Sequence, residues 1–438
     1  MKSRALLAAC LGLGLVGVLS PALGAQTAVG PSSWVNLALH RSRDAVYDPG
    51  APGYSWVDRG VGTVIFGVVV VGDTAYFATL EGNVEAVDAR TGAPRWTVHL
   101  PNAVFGPPLV ANGVVYVGIG NDTMALESST RWVRGTGPSG WYALDASTGK
   151  ILWSHPTVGE AKDGLVLSHG VLYTAGGGGH LRAMSPTTGK TIWKVFDGGV
   201  NNAAEPVVVG NLVISPAGGP AESSLWAFDR QSGKLVWRHR GDDADNTPTY
   251  GHGMVYETNV LPFMIHGKHM AQDVYTAVDA ATGKLIWAHA APLGPFPFAY
   301  AAPITTLHRG VLYGVSSMEP FLMALNARTG QLLWQTRLQA PSFSPPAVVG
   351  GHVFTTDQAG YLDVLDAATG RIVASRKIGS EFGAEPVTIV HGTLYLATFT
   401  GNPLALADPG VAKVTAANTG NVMAIPVSSV LPASGGGG

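Results

Sequence analysis

The chain has 438 residues, of which 58 are glycine and 29 are proline. Only 13% of its residues are charged, about half the share found in an average soluble domain. Its formal net charge is −2, which excludes a nucleic-acid-binding role that depends on neutralising phosphates. Below about pH 4 the acidic side chains would become neutral and leave a cation. This charge pattern fits an acidic compartment, and it also fits an ordinary secreted repeat protein.

Residues 1–24 have the features of a signal peptide. Lys2 and Arg4 provide a basic start, an apolar stretch follows, and residues 22–24 form a cleavage site of the small-x-small kind. The only cysteine, Cys10, lies in this segment, and too few apolar residues precede it to favour a lipid anchor. No later stretch is long and apolar enough to span a membrane. The sequence therefore predicts a periplasmic or extracellular protein without disulfides or a cysteine nucleophile.

One motif, Asp-x-x-Thr-Gly-x-x-x-Trp, recurs along the chain. Its Asp and Thr side chains can bond the amides of a tight turn, and its Gly accepts a positive φ. Its Trp is a large flat side chain suited to packing between adjacent sheets. The turn glycine and the tryptophan of the first six copies are Gly92 and Trp96, Gly149 and Trp153, Gly189 and Trp193, Gly233 and Trp237, Gly283 and Trp287, and Gly330 and Trp334.

The later copies are degenerate. The seventh has Asp366 and Gly370 but carries Ala374 in place of the tryptophan, and residues 407–410 are the candidate for an eighth copy. A second hairpin precedes each copy, with turns such as Asn112-Gly113. His252 and His391 occupy such turns and are expected to be structural. Each unit therefore has four short antiparallel strands in about forty residues, which is typical of a propeller blade.

Eight such units follow one another, so we expect an all-β fold, an eight-bladed β-propeller of four-stranded antiparallel blades. The expected organisation is a signal peptide over 1–24, an N-terminal arm contributing to ring closure over 25–60, the propeller over 61–415, and a flexible tail over 416–438. A propeller must close to hide its sheet edges. Ser33–Leu37 is the segment expected to complete the last blade.

On these repeats the chain resembles the quinoprotein-type propeller superfamily, with its PQQ-like repeats. The superfamily includes tetrathionate hydrolases, quinone-dependent dehydrogenases and scaffolds of outer-membrane assembly. The resemblance therefore implies the fold and leaves three functions open, because fold alone does not determine function.

Two long insertions and the blade-to-blade loops are expected on one face, where they surround the channel mouth. The insertions cover residues 118–140 and 258–273, and loops longer than a turn requires are often functional. Carboxylates that converge on such a mouth can act as acids or bases. The expected catalytic residues are Asp273, Glu205 and Asp245.

The favoured function is hydrolysis of a small sulfur oxyanion in acid, as in the tetrathionate hydrolase branch. Asp273 is expected to activate water, and cations are expected to hold the sulfonates. The expected substrate-binding residues are Arg131, Arg134, Lys162, Lys268, His266, His269, Asn202 and Tyr300. The partner is then a small anionic substrate, and a homodimer is left open.

Two alternatives remain. One is a PQQ-dependent dehydrogenase, whose flat cofactor and calcium would need Glu, Asn and Asp ligands; Glu205, Asn202 and Asp245 could supply them. The chain lacks the adjacent cysteine pair of the larger quinoprotein alcohol dehydrogenases, so no cofactor is favoured, and no metal is expected. The other alternative is a non-catalytic periplasmic scaffold of the outer-membrane assembly type, which the poor lipid-anchor sequence weakens.

Overall fold

The structure is a computed structural model that describes residues 53–121, 124–128, 131–161, 164–197, 204–217, 224–241, 247–295, 303–379, 387–399 and 420–431. The segment expected to be a signal peptide lies outside these residues, as does Ser33–Leu37. The unit to which the described residues belong spans residues 32–438. Within the described residues, no helix combines the length and the hydropathy needed to cross a membrane.

The first described strand, β1 (Trp56–Arg59), belongs to the last blade, and the following strands form blades 1 to 4. Blade 1 contains β2 (Val69–Val71), β3 (Thr74–Ala78), β4 (Asn83–Asp88) and β5 (Pro94–His99). Blade 2 contains β6 (Leu109–Ala111), β7 (Val114–Ile119), β10 (Gly140–Asp145) and β11 (Ile151–Pro156), with an inserted hairpin of β8 (Met124–Ser128) and β9 (Arg131–Arg134). Blade 3 contains β12 (Val166–Ser168), β13 (Val171–Thr174), β14 (His180–Met184) and β15 (Thr191–Phe196). Blade 4 contains β16 (Val207–Val209), β17 (Leu212–Ala217), β18 (Ser224–Asp229) and β19 (Leu235–Arg240).

Blades 5 to 8 repeat this order and complete the ring. Blade 5 contains β20 (Thr249–Gly251), β21 (Met254–Ile265), β22 (Lys268–Asp279) and β23 (Leu285–Ala290), with a short fifth strand, β24 (Gly294–Pro295), paired to β22. Blade 6 contains β25 (Thr306–His308), β26 (Val311–Val315), β27 (Phe321–Asn326) and β28 (Leu332–Arg337). Blade 7 contains β29 (Ala347–Val349), β30 (His352–Thr356), β31 (Tyr361–Asp366) and β32 (Ile372–Lys377). Blade 8 contains β33 (Thr388–Val390), β34 (Thr393–Phe399), β35 (Gly420–Pro426) and β1, and the helix α1 (Val427–Val430) follows β35. The expected eight-bladed all-β propeller is confirmed.

The recurrent motif forms its turn through its own side chains. In blade 1, Asp88 Oδ1 accepts hydrogen bonds from the backbone N–H and the hydroxyl of Thr91, each at 3.0 Å. Gly92 follows with φ 72°, a conformation that L side chains rarely adopt. A side chain at Gly92 would also collide with the indole of Trp56, which would lie 2.8 Å from the added Cβ. The turn therefore needs glycine for its backbone conformation and for the neighbouring blade.

Tyrosine and tryptophan side chains join each blade to the next. Tyr76 and Trp96 of blade 1 both donate hydrogen bonds to the carbonyl oxygen of Ala146 in the motif turn of blade 2, at 3.2 and 3.0 Å. The same arrangement recurs at Pro186, where Tyr116 and Trp153 are the donors. The motif thus works across blade boundaries as well as within its own turn.

The ring closes through β1, which pairs with β35 as the outermost strand of blade 8. The inner strand β2 contacts β6 on one side and β33 of blade 8 on the other. The strand that completes the last blade is therefore Trp56–Arg59, within the expected arm. The expected boundary at residue 415 is wrong, because β35 and α1 are part of the last blade and lie inside the segment assigned to a tail.

The antiparallel order separates the connections onto two faces. The motif turns and the tight turns between first and second strands lie on one face, which we call the turn face. The connections between second and third strands and those between blades lie on the other, which we call the loop face. Within the described residues the loop face is formed by 79–82, 100–108, 157–161, 175–179, 316–320 and 338–346, with the hairpins β8–β9 and β21–β22. Both insertions thus belong to the loop face.

Candidate functional site

Asp273 lies at the boundary between blades 5 and 6 and is fully buried. Its carboxylate accepts hydrogen bonds from the hydroxyl of Ser316 at 2.7 Å, and from the backbone N–H and the hydroxyl of Ser317 at 2.9 and 3.0 Å. Burial raises the pKa of Asp273, and the hydrogen bonds from the two serines oppose that shift. The carboxyl is therefore enclosed at the base of the β21–β22 hairpin and fixes the loop 316–320 of blade 6.

Arg134 lies on the loop face at the end of the β8–β9 hairpin. Its Nε is 3.5 Å from Oε1 of Glu160, a carboxylate with no exposed surface. The backbone supports this pair, because the Glu160 N–H donates to the carbonyl of Arg134 at 2.7 Å and the Arg134 N–H donates to that of Gly177 at 3.0 Å. A Cβ on Gly177 would lie 2.7 Å from Cγ of Glu160. The glycines around Glu160 therefore leave room for a buried ion pair.

Glu205 is buried on the same face, ahead of the inner strand of blade 4. Its backbone N–H donates to the hydroxyl of Thr247 at 3.0 Å, which joins blades 4 and 5. A Cβ on Gly164 would lie 2.1 Å from Oε1 of Glu205. The carboxyl therefore occupies the space that the missing side chain of Gly164 leaves in blade 3.

A second buried polar pair lies on β21 and was missed from the sequence. Glu257 Oε1 and Asn259 Nδ2 both lie 3.4 Å from the hydroxyl of Thr276. Among the described residues, Glu257 Oε2 and Asn259 Oδ1 have no hydrogen-bond partner. Burial raises the pKa of Glu257 to about 7. The signal in the sequence was a run of three polar residues, Glu257 to Asn259, in a largely apolar strand.

Two further carboxyls, the partly buried Glu85 and the buried Asp363, have a strongly raised pKa. Burial raises the pKa of Glu85 in β4 to about 7, and the nearby carboxylate of Asp58 in β1 adds to the shift. Burial raises the pKa of Asp363 in β31 to about 6, and the charge of Asp357 again adds to it. Glu85, Glu257 and Asp363 are therefore largely neutral below about pH 5.

His266, Lys268 and His269 lie at the exposed tip of the β21–β22 hairpin. Asp273 lies five positions after Lys268 in β22, which corresponds to roughly 16 Å along a strand. One small substrate therefore cannot contact Asp273 and the hairpin tip together. The structure brings neither group next to Arg134, which belongs to blade 2.

Several expected site residues cannot be placed. Lys162, Asn202, Asp245 and Tyr300 lie outside the described residues, and for Arg131 only the backbone, in β9, is described. Within the described part of the chain, no group of three or more His, Cys, Asp or Glu side chains is arranged so that it could hold a metal ion. A cavity of about 360 Å³ lies on the turn face, lined among others by Tyr54, Asp73, Arg90 and His391, and is therefore separate from the loop-face residues.

The repeats match a known family model over most of the chain. The model, described as outer membrane protein assembly factor BamB, covers residues 55–131, 138–261 and 270–423. The chain belongs to the PQQ-repeat family of β-propellers. The matched ranges include the motif turns of all seven clear copies, the closing strand β1 and the first part of β35.

Two classes of relative are similar to this PQQ-repeat propeller at the same level of identity. The tetrathionate hydrolase of Acidithiobacillus ferrooxidans is 26% identical over 430 residues, covering 85% of this chain and 85% of the relative. The BamB protein of Legionella pneumophila is 26% identical over 354 residues, covering 75% of this chain and 80% of the relative. Identity alone therefore does not separate the two classes.

Solved structures of the family confirm the fold. The quinohemoprotein alcohol dehydrogenase of Comamonas testosteroni superposes with a TM-score of 0.65 at 16% identity, covering 92% of this chain and 82% of that chain. The BamB protein of Moraxella catarrhalis superposes with a TM-score of 0.58 at 17% identity, covering 84% of this chain and 98% of that chain. At such identities the likeness concerns the fold alone.

Proposed function

We propose that this PQQ-repeat propeller is an extracytoplasmic enzyme that hydrolyses a small sulfur oxyanion of the tetrathionate class in acid. The observation that carries the proposal is the extent of the match to the Acidithiobacillus ferrooxidans enzyme, which spans 85% of both chains. A second tetrathionate hydrolase, from Acidianus ambivalens, is 24% identical over 406 residues and covers 81% of this chain. The matched BamB protein of Legionella pneumophila covers less of the chain, 75%.

The electrostatics of the described residues support an anionic substrate in acid. Glu85, Glu257 and Asp363 have a pKa raised to about 7, 7 and 6, so they carry little negative charge below about pH 5. The 27 lysines and arginines remain charged. A dianion is therefore attracted to the protein under acidic conditions, and salt would weaken that attraction.

Hydrolysis at the central S–S bond of tetrathionate requires one proton to be accepted. Water attacks one divalent sulfur, the S–S electron pair leaves with thiosulfate, and the other fragment becomes HO–S–SO₃⁻. We assign the released proton to Asp273, passed through the hydroxyl of Ser317, which donates to Asp273 Oδ1 at 3.0 Å. Asp273 is 0% exposed and Ser317 is 3% exposed, so the serine hydroxyl is the side of this buried pair that would meet an entering water.

The remaining expected residues keep proposed roles at the loop face. Arg134 lies in blade 2, away from Asp273, and would draw the dianion to the loop face by its charge, because its side chain remains 14% exposed beside Glu160. Glu205 would keep blades 3 to 5 in place. The proposed set also includes Arg131, Lys162, Asn202, Asp245 and Tyr300.

The test is to incubate the purified chain with tetrathionate between pH 2 and pH 7 and to measure thiosulfate by ion chromatography. Turnover above the rate of a buffer control is expected on the acidic side of neutrality. An Arg134→Gln variant should raise KM for tetrathionate, while Arg90→Gln, an exposed arginine on the turn face, should not. The absence of turnover at every pH would rule out the proposal.

A scaffold role is the second candidate, because the matching family model is described as an outer membrane protein assembly factor. A PQQ-dependent dehydrogenase has weaker support: the Pseudomonas putida alcohol dehydrogenase ADH IIB is 30% identical, but the match covers 33% of that enzyme. Glu205, the one described residue of the proposed calcium ligands, fills the space beside Gly164, so the described residues do not fit a flat quinone there. Capture of a β-barrel assembly protein, without turnover of tetrathionate, would favour the scaffold.

A further inference from the structure

The β21–β22 hairpin of blade 5 carries exposed apolar side chains at its tip. Phe263 is 38% exposed, Met264 60% and Ile265 38%. The tip turn, His266-Gly267, has φ values of 48° and 74°, as in the tight two-residue turns that fit twisted hairpins. Water-exposed apolar groups clustered on one projection usually mark a contact surface.

The hairpin is firmly held at its base. β22 pairs with β21 along its whole length from Ile265↔Lys268 to Met254↔Asp279. Its other edge pairs with β24, where Ala271 lies opposite Gly294. Val260, Ala271 and Met318 form a small buried cluster below the tip. The exposed side chains are thus presented on an ordered support, which limits the entropy lost on docking.

Basic residues surround the apolar tip. Lys268 is exposed directly after the turn, His266 is exposed within the turn, and His269 is exposed one position beyond Lys268. Apolar residues flanked by basic residues are the pattern by which surface segments enter the interfacial region of an anionic bilayer. The charge at the tip therefore complements an anionic lipid surface.

Pairing with the same hairpin of a second copy is disfavoured by Pro262. In a two-residue hairpin the pair next to the turn is hydrogen-bonded and the pairs then alternate. Pro262, opposite Ala271, is therefore at a non-hydrogen-bonded position, and its nitrogen faces the outer edge of β21. Proline on a strand edge blocks the addition of another strand. Three partly exposed side chains also offer a few hundred Å² at most, below the roughly 800 Å² per partner of a stable protein interface.

We propose that the tip of the β21–β22 hairpin inserts Phe263, Met264 and Ile265 into an anionic lipid bilayer surface while Lys268 contacts its phosphate groups. The chain then binds the membrane peripherally, through the loop face and at one side of the ring. This inference is independent of the proposed hydrolase activity, because the tip and Asp273 are roughly 16 Å apart along the strand.

Co-sedimentation of the full chain with sucrose-loaded vesicles at pH 5 tests the proposal. The expected result is binding to vesicles of 30% phosphatidylglycerol in phosphatidylcholine, and about fivefold weaker binding to pure phosphatidylcholine, since one basic residue near an anionic surface contributes about 1 kcal/mol. Replacing Phe263, Met264 and Ile265 together by serine should reduce binding at least tenfold. Lys268→Glu should reduce it several-fold.

The matched control replaces Leu332 and Leu333 by serine, because these neighbours on the outer strand of blade 6 are exposed to 39% and 49%. This variant should bind vesicles like the wild type. Since all substituted side chains are exposed, unfolding transitions should stay close to that of the wild type, and Met264→Ser alone provides a milder variant. The proposal would be overturned if the wild type did not bind anionic vesicles, or if the triple variant bound them as well as the wild type. It would also be overturned if the control variant lost as much binding as the triple variant. A dimer, measured by light scattering, that the triple variant abolishes without any vesicle binding would overturn it as well.

Discussion

The indole of Trp56 and the hydroxyl of Tyr395 donate hydrogen bonds to the same acceptor, the carbonyl oxygen of Ala89, each at 2.9 Å. Trp56 comes from the N-terminal strand β1 and Tyr395 from β34, so the two side chains meet only when the ring is closed. Blade 1 makes the same contact with blade 2 through Tyr76 and Trp96. The closing boundary therefore uses the same chemistry as the boundaries formed within the continuous repeats.

Trp56→Ala should destabilise the protein by about 3 kcal/mol, because it removes a large aromatic side chain and leaves the turn at Gly92 without its packing partner. The measurement is urea unfolding followed by circular dichroism. Trp96→Ala is the matched control from a boundary inside the repeats, and it should lower the free energy of unfolding by a similar amount. If Trp56→Ala cost less than about 0.5 kcal/mol while Trp96→Ala cost several, ring closure through β1 would be wrong.

Ala374→Trp, which restores the motif in blade 7, should destabilise the protein rather than stabilise it. The chain passes from blade 8 into α1 where a motif turn would stand, and Ala374 packs against the cluster that contains Phe354, Val427 and Val430. An inserted indole would overpack this cluster, at a cost of about 1–3 kcal/mol. A rise in the unfolding midpoint would contradict this account of the seventh blade.

The repeats could be predicted from the sequence because each copy carries its own turn chemistry and its own tryptophan. The strand that closes the ring could not be predicted, because no copy of the motif surrounds Trp56. The turn glycine that Trp56 packs against, Gly92, lies in another blade. The tail was misassigned for a related reason. β35 is an apolar strand, but no Asp-x-x-Thr-Gly turn follows it, since the helix α1 stands where the turn would be.

The candidate site was only partly predictable. The sequence indicated that both insertions lie on one face, and the antiparallel order of the blades agrees. It could not show that Asp273 would be enclosed, because its partners, Ser316 and Ser317, belong to another blade. It also could not show that the length of β22 would separate Lys268 from Asp273. Glu257 was missed because the burial of a polar side chain on a propeller strand depends on how the neighbouring blade packs against that strand.

The unfolding free energy should decrease from about pH 5 to pH 8, and Glu257→Gln should reduce that decrease. A carboxyl whose pKa is raised in the folded state stabilises the fold fully below its unfolded pKa, and this contribution is lost as the pH rises through the folded value. For Glu257 the pKa moves from 4.5 to about 7, worth up to about 3 kcal/mol at 1.36 kcal/mol per unit. Asp145→Asn is the control and should leave the decrease above pH 5 unchanged, because hydrogen bonds from Ser147 and Thr148 lower the pKa of this partly exposed carboxyl.

In stronger acid the free energy of unfolding should instead decrease as the pH falls. The Arg95 guanidinium lowers the pKa of Asp88, and the Ser232 hydroxyl lowers that of Asp229 in the corresponding turn of blade 4. Such groups stabilise the fold above their unfolded pKa of 3.8, and the contribution is lost as the pH falls through the lower folded value. Stability measured from pH 2 to pH 8 should therefore peak between about pH 4 and pH 6. A monotonic rise towards neutral pH would contradict the raised pKa values.

Asp273→Asn should abolish most tetrathionate turnover, and Asp357→Asn should not. Both carboxyls are buried and accept hydrogen bonds on the loop face, Asp273 from Ser316 and Ser317 and Asp357 from the backbone N–H groups of 340, 359 and 361. Each substitution places an amide donor against existing donors, so each should cost about 1–3 kcal/mol of stability. If Asp273→Asn acted only by destabilising the fold, tetrathionate turnover by the two variants would fall by a similar factor.

The pH–rate profile distinguishes proton transfer by Asp273 from a positioning role. A carboxylate that accepts the proton must be ionised, and burial raises the pKa of Asp273, so kcat of the wild type should fall on the acidic side at a pH above the ordinary aspartate value of about 3.9. The residual kcat of Asp273→Asn should no longer fall on the acidic side of the profile, whereas that of Asp357→Asn should still show this fall, the acidic limb. If the limb persists in Asp273→Asn, the proton goes to another group and Asp273 only holds the loop 316–320 in place.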